Sequence, residues 1–178
     1  MTETKGTGPT RIVIFGNSGS GKSTLAKHCA KSRQVGHLDL DDIAWKEEAV
    51  RDELAVSGAK LKSFVDAHDE WVIEGCYGSL VSIAVLEADE IIFLNPGIDT
   101  CLENCRLRPW EAHKYPSERA QNENLEMLMD WVSEYESRTD EFSCSVHREI
   151  FKSFPGKKRE LKSNSEARVT AREWDESA

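Results

Sequence analysis

The eight residues from Gly16 to Ser23, GNSGSGKS, place glycines, a lysine and a serine at the spacing of a phosphate-binding loop. Glycine allows the backbone to turn so that successive N–H groups point inward at phosphate oxygens. In this pattern Lys22 is expected to reach the β- and γ-phosphates, and the Ser23 hydroxyl to ligate Mg²⁺. The motif therefore predicts a site for a nucleoside triphosphate with Mg²⁺. The residues expected to surround the phosphates are Gly16, Asn17, Ser18, Gly19, Ser20, Gly21, Lys22, Ser23 and Thr24.

The segments on either side of this loop favour a genuine nucleotide site over a turn rich in glycine and serine that binds nothing. RIVIF, residues 11–15, is dominated by β-branched residues and is typical of a buried strand. Residues 22–31 carry apolar side chains at helical spacing, so the positive end of a helix dipole would face the phosphates. No Asn-Lys-x-Asp string specifies guanine, so ATP is the default nucleotide.

Two carboxylates that follow other predicted strands are candidates for metal binding and proton transfer. Asp39 lies in HLDLDDIAW and Glu74 in WVIEG. Ligands of open parallel sheets bind at the carboxyl ends of the strands, where both acids are expected to lie. Phosphoryl transfer needs a carboxylate to help hold Mg²⁺ and commonly one to orient or deprotonate the acceptor hydroxyl. We assign the first task to Glu74, with Ser23 as the other metal ligand, and the second to Asp39. For Asp41 and Asp42 we prefer helix capping or first-turn dipole complementation.

Arginines are the expected source of positive charge opposite the transferred phosphoryl group. Arg106 and Arg108 precede a polar stretch and are the first candidates, with Arg119 and Arg138 next. Arg51 could meet the acceptor from the side of the second strand. For each of these residues a solvated arginine without a catalytic role is the alternative.

Short apolar runs alternate along the chain with stretches of helical spacing. Strands are predicted at 11–15, 35–38, 71–74 and 91–95, with a weak fifth candidate at 157–163. Helices are predicted at 22–31, 52–68, 80–88, 99–108 (capped by Asp99 or Thr100) and 125–135. This alternation predicts a parallel α/β sheet with right-handed crossovers. With 178 residues, we expect one domain over 11–163 with a lid at about 106–120, a flexible arm over 1–10 and a polar tail over 164–178 in which Trp174 could dock.

The composition argues against several classes of function. A net charge of −9 disfavours direct nucleic-acid binding, which needs a basic face. No apolar run approaches the roughly 20 residues of a membrane helix, and no signal peptide is recognisable, so a cytoplasmic protein is expected. Cys101 and Cys105 share a helix face, but nothing nearby completes a zinc site, so the five cysteines are interpreted as reduced thiols.

Four segments together resemble the P-loop proteins related to adenylate kinase, and within them the DNA topology modulation (FlaR-like) subgroup. They are GNSGSGKSTLAK, HLDLDDIAW, WVIEGCYGSL and ADEIIFLN. The resemblance implies a P-loop NTPase three-layer sandwich with a five-stranded parallel sheet in the order 2-3-1-4-5, an acceptor site and an arginine-bearing lid. Family members usually carry Asp where Glu74 stands, and only Lys114 and Arg119 are basic between Pro109 and Ala120.

These observations predict a small kinase that uses Mg-ATP and an unidentified nucleotide or small-molecule acceptor. Its expected catalytic residues are Lys22, Asp39, Glu74, Arg106 and Arg108. The pocket around Asp39, Trp45, Arg51 and Tyr77 would select the acceptor, and a shikimate-kinase-like activity is a variant of this prediction. The alternative is a nucleotide-dependent regulatory switch with slow ATP hydrolysis and a protein partner, which the sparsely basic lid favours.

Overall fold

A five-stranded parallel sheet is the centre of the computed structural model, which describes residues 10–46, 50–112 and 115–176. Its strands are β1 (Arg11–Gly16), β2 (Gly36–Asp39), β3 (Trp71–Gly75), β4 (Glu90–Leu94) and β5 (Lys157–Leu161). Their order across the sheet is β2-β3-β1-β4-β5, and every neighbouring pair is parallel. The predicted fold class and strand order are therefore confirmed.

Helices cover both faces of this sheet. They are α1 (Lys22–Arg33), α2 (Asp41–Ala44), α3 (Leu54–Ala67), α4 (Gly78–Ala84), α5 (Ile98–Arg106), α6 (Glu118–Glu123), α7 (Leu125–Ser133), α8 (Cys144–Ser153) and α9 (Asn164–Asp175). Short 3₁₀ turns at Val85–Glu87 and Glu134–Glu136 continue α4 and α7. None of the described helices combines the length and apolarity needed to cross a membrane.

The apolar residues of β1 alternate between two cores because successive side chains of a strand point to opposite faces. Val13 and Phe15 belong to one core together with residues of α4 and α8, and Ile12 and Ile14 belong to the other with α1 and α9. All four are at most 2% exposed. Each buried side chain of this size contributes about 1.5–3 kcal/mol of transfer free energy, so this burial holds the loop that follows β1 in place.

Several predicted boundaries differ from the structure. Gly97 is at the N-cap of α5, so Asp99 and Thr100 lie inside the first turn and the predicted side-chain cap is wrong. The segment after Ser163 is helix α9 rather than a loosely held tail, and its Trp174 is 2% exposed. The arm over residues 1–9, His113, Lys114 and the last two residues lie outside the described part of the chain.

The parallel register brings the carboxyl ends of the central strands to one edge of the sheet. Asp39 at the end of β2 pairs with Glu74 in β3, and Phe15 in β1 pairs with Gly75. The loop after β1, Asp39 at the end of β2 and Glu74 in β3 consequently share one edge, as the expected position of the ligand site requires.

Candidate functional site

The loop between β1 and α1 has the backbone conformation that its glycines permit. Gly16, Gly19 and Gly21 have φ angles of 151°, 75° and 95°, a region that side chains disfavour. A Cβ atom on Gly16 would lie 2.1 Å from the Leu94 carbonyl oxygen, and one on Gly19 would lie 2.3 Å from that of Cys101. The loop therefore packs directly against β4 and α5, with no room for side chains at these two positions.

Polar contacts across the loop complete its shape. The Lys22 ammonium is buried and donates to the Asn17 carbonyl oxygen at 2.8 Å. The Asn17 side-chain amide donates to the Val132 carbonyl oxygen at 3.1 Å, which ties the loop to α7. The lysine is therefore held over the loop, where its charge can meet a phosphate oxygen.

The buried carboxylate of Glu74 lies beside the loop and is 1% exposed. Burial is the main cause that raises the pKa of its carboxyl group, and the nearby charge of Asp39 raises it further. The charge of Lys22 and a hydrogen bond from the Ser23 hydroxyl lower it. Its Oε1 atom is buried without a hydrogen-bond partner in the described ranges, and His37 Nε2 is 4.0 Å away. An orphaned carboxylate oxygen beside a serine hydroxyl fits a divalent cation.

No group of three or more His, Cys, Asp or Glu side chains that could hold a metal by itself is present in the described ranges. Mg²⁺ commonly binds through one or two carboxylates together with substrate phosphates. Ser23 and Glu74 can therefore contribute two ligands to a cation whose other ligands come from the nucleotide and water.

The second acid, Asp39, is held by the backbone of the helix that follows it. Its Oδ1 accepts a hydrogen bond from the Asp41 N–H at 2.9 Å, so it satisfies a free donor at the start of α2. Part of the capping role expected of Asp41 and Asp42 therefore belongs to Asp39. Asp41 lies in the first turn of α2, as expected, but it also lines the cavity beside the phosphate loop. Its place in an acidic cluster could have suggested this position.

A cavity of about 920 Å³ joins the loop to both acids. On one side it is lined by Asp39, Asp41, the last two residues of β3 and Cys76. On the other side it is lined by Asn104, by residues 107–112 and by part of α9. This size reaches the upper range of ligand pockets, about 300–1,000 Å³, and suffices for a nucleotide and a small acceptor together.

The five arginines singled out in the sequence occupy different surroundings. Arg108 lines the cavity and pairs with Glu111 at 3.2 Å, whereas Arg106 is exposed and is not part of the lining. Arg119 pairs with Glu123 at 2.7 Å, and Arg138 pairs with Asp140 at 2.7 Å. Arg108 is consequently the one of these four that the fold brings to the cavity.

The remaining arginine, Arg51, belongs to a polar cluster next to the acids. It pairs with Glu141 at 3.1 Å, and its guanidinium carbon lies 4.2 Å from the centre of the Tyr77 ring. The Tyr77 hydroxyl donates to Asp41 Oδ1 at 2.5 Å and accepts from Trp45 Nε1 at 2.7 Å. Of the residues expected around the acceptor, Asp39 lines the cavity, whereas Trp45, Arg51 and Tyr77 do not and are linked to its wall through Asp41.

A buried histidine that sequence reasoning missed supports the backbone after Glu74. His147 Nε2 lies 2.9 Å from the Cys76 carbonyl oxygen, and its Nδ1 lies 2.7 Å from the Tyr135 hydroxyl. A carbonyl can only accept, so Nε2 carries the proton and Nδ1 accepts from Tyr135. Burial lowers the pKa of His147 to about 4, which keeps the ring neutral. No local pattern signals this role, because His147 and Cys76 are 71 positions apart.

The far wall of the cavity also uses residues that were not predicted. The Asn104 side chain donates to the Gly19 carbonyl oxygen at 2.8 Å and exchanges hydrogen bonds of 3.2 and 3.1 Å with the Asn164 side chain. The first residue of α9 is thereby linked to the phosphate loop. Arg168 and Arg172, further along α9, also line the cavity.

The sheet order, the loop and its flanking strand and helix define the fold of P-loop kinases. Similar solved structures include shikimate kinases from Acinetobacter baumannii, in complex with shikimate, and from Bacteroides thetaiotaomicron. The first is 15% identical, with 93% of this chain and 90% of that chain covered at a TM-score of 0.57. The second is 16% identical, with 94% and 97% covered at a TM-score of 0.59.

A shikimate kinase from Aquifex aeolicus is also similar, at 16% identity, 92% and 93% coverage and a TM-score of 0.52. At identities this low, the structural similarity establishes only a shared fold. No protein-family model and no curated protein matches the sequence. The resemblance to the DNA topology modulation subgroup therefore stays a prediction.

Proposed function

We propose that this chain is a phosphotransferase that moves the γ-phosphoryl group of Mg-ATP to a hydroxyl group of a small acceptor. The observation that carries the proposal is the meeting of Asp39 and Glu74 with the phosphate loop in one cavity. A loop that only held a nucleotide would need Mg²⁺ ligands, but it would not need a second carboxylate on the acceptor side. We place the reaction in the cytoplasm, where ATP is available.

The loop and Lys22 hold the β- and γ-phosphates, and Ser23 and Glu74 would hold Mg²⁺. When bound, the cation neutralises charge on the phosphate oxygens. Burial raises the pKa of the Glu74 carboxyl and favours its protonated form. A cation that approaches the carboxyl favours instead the ionised form that metal binding requires.

Asp39 acts on the acceptor. The hydroxyl oxygen of the acceptor attacks the γ-phosphorus, the bond to the bridging β–γ oxygen breaks, and ADP leaves. The hydroxyl proton passes to the Asp39 carboxylate, which the Asp41 N–H keeps oriented through Oδ1. Arg108, in the lid side of the cavity, counters charge on the transferred group.

The acidic side of the cavity favours a polar acceptor. Asp39 and Asp41 line it, and Asp41 is held by the Tyr77 hydroxyl. Hydroxyl groups of the acceptor would donate to these carboxylates. A nucleotide and a hydroxy acid both meet this requirement.

A nucleotide-dependent switch is a second candidate, and the ion pair between Arg108 and Glu111 favours it. A lid arginine whose charge is already countered contributes less to phosphoryl transfer, so hydrolysis would be slow. In that case a protein partner would replace the small acceptor.

The test is ADP release from Mg-ATP, with and without a pool of nucleoside monophosphates and small hydroxylated metabolites. Lys22→Ala serves as the blank, and Asp39→Asn reports on the acceptor step. Stimulation by the pool that both variants abolish supports the kinase, and fractionating the pool then identifies the acceptor. Slow turnover that ignores the pool and survives in Asp39→Asn, but not in Lys22→Ala, supports the switch.

A further inference from the structure

The cavity continues beyond the phosphate loop into a groove between α1 and α9. His28 Nε2 lies 3.1 Å from the Ala171 carbonyl oxygen and 2.9 Å from Asp175 Oδ1, which joins the two helices. His28 and Ala171 both line the cavity. The groove is therefore continuous with the nucleotide site and is not a separate surface.

Three cations line this extension: Lys27 on α1, and Arg168 and Arg172 on α9. None of the three forms an ion pair with any residue in the described ranges, although the whole chain has a net charge of −9. Arg168 and Arg172 are four residues apart on one helix and share a face. Three exposed cations are thus gathered along this extension, and the nearby Asp175 carboxylate is bound by His28 and Ser32.

One of these cations, Lys27, lies less than one helical turn beyond the last residue expected at the phosphates. Thr24 is expected to contact the α-phosphate, and Lys27 is three residues later on α1, about 4.5 Å along the helix axis. The 2′- and 3′-oxygens of a ribose lie a similar distance beyond the α-phosphate. In ATP these positions are neutral hydroxyls, which leave the three cations unused.

We propose that this groove binds a phosphate group carried on the ribose of the bound nucleotide, so that the site prefers a 2′- or 3′-phosphorylated adenosine nucleotide. The inference rests on the proposed function, since it requires the 5′-phosphates to occupy the loop. Guanidinium groups pair with phosphate through two parallel hydrogen bonds, and Arg168 and Arg172 provide two such groups.

The test compares the affinities of three probes by isothermal titration calorimetry: ADP, adenosine 3′-phosphate 5′-diphosphate and adenosine 2′-phosphate 5′-diphosphate. Each is titrated into the wild-type chain and into the double variant Arg168→Gln/Arg172→Gln. Lys31→Gln is the matched control, because Lys31 is exposed on α1 and does not line the cavity. Thermal unfolding of each variant checks the fold.

We expect at least one phosphorylated probe to bind the wild type about tenfold or more tightly than ADP. The double variant should lose this preference while its affinity for ADP changes little, and Lys31→Gln should keep it. Equal affinity of all three probes for the wild type refutes the inference and leaves the proposed function intact. Failure of ADP itself to bind refutes the proposed function instead.

A last arm separates a ribose-linked phosphate from a free anion. Inorganic phosphate is titrated into the wild type saturated with ADP. Absence of binding at concentrations where the linked phosphate acts supports the inference. Binding of inorganic phosphate that the double variant abolishes, together with no preference among the three probes, would show a free-anion site and overturn it.

Discussion

The buried histidine behind the site makes the stability of the protein depend on pH. His147 is 0% exposed, and burial lowers its pKa from 6.5 to about 4. An unfolded chain therefore binds a proton at this side chain between pH 6.5 and pH 4, and the folded chain does not. The free energy of unfolding must consequently decrease as the pH falls through this range.

A lowering of this size corresponds to roughly 3 kcal/mol, because one pKa unit is about 1.4 kcal/mol. We expect up to about 3 kcal/mol of this to be lost between pH 7 and pH 4, a large part of the stability of a typical domain. The assay is urea unfolding at several pH values in this range, for the wild type and for His147→Gln. Gln cannot titrate and can still donate to the Cys76 carbonyl oxygen.

The variant also removes the contributions of other groups from the comparison. Burial raises the pKa of Glu74, which by itself would make the folded state more stable as the pH falls towards its unfolded value, but this effect is common to both proteins. The stability difference between wild type and variant should therefore shrink as the pH falls from 7 to 4. A difference that stays constant over this range would refute the assignment of a neutral, buried His147.

Three further predictions concern the site. Glu74→Gln should weaken ADP binding about tenfold or more in the presence of Mg²⁺ and leave metal-free binding almost unchanged, as measured by calorimetry; equal losses with and without the metal would contradict its role as a ligand. Gly19→Ala should lower the midpoint of thermal unfolding more than Gly21→Ala, because both residues have positive φ angles but an added Cβ meets other atoms only at Gly19. Glu111→Gln should release Arg108 and raise turnover or lower the KM for Mg-ATP a few-fold, and Arg108→Gln should do the opposite. Identical steady-state constants in all three proteins would exclude Arg108 from catalysis.

The sequence predicted best those elements whose residue types are dictated by local backbone geometry and burial. The strand before the loop is buried on both faces, so all its central residues are apolar and the run is visible in the sequence. The glycines of the loop have φ angles that side chains disfavour, and at Gly16 and Gly19 a Cβ would also collide with neighbouring backbone. The positions of Asp39 and Glu74 followed from the rule that ligands bind at the carboxyl ends of parallel strands.

Weaker predictions concerned elements at the edge of the sheet and beyond it. The fifth strand was only a weak candidate because β5 is an edge strand whose first two residues are exposed and charged, so its composition resembles that of a loop. Helix α9 was missed because the segment is polar on most of its surface and buries only Thr170 and Trp174. For Asp41 and Asp42 helix capping or dipole complementation was the preferred explanation, and it concealed the contact between Asp41 and Tyr77.

The sequence by itself predicted the fold class and, through its resemblance to a known family, the order of the strands. It also predicted the phosphate-binding loop and the two acids expected to act beside it. Each of these depends on residues that are close in the chain, whose spacing reflects backbone geometry. Only the tertiary structure decided which arginines reach the cavity, that His147 supports the Cys76 carbonyl, and that α1 and α9 form one groove. Those arrangements join residues more than 70 positions apart, and packing between helices and sheet, which leaves no local pattern, brings them together.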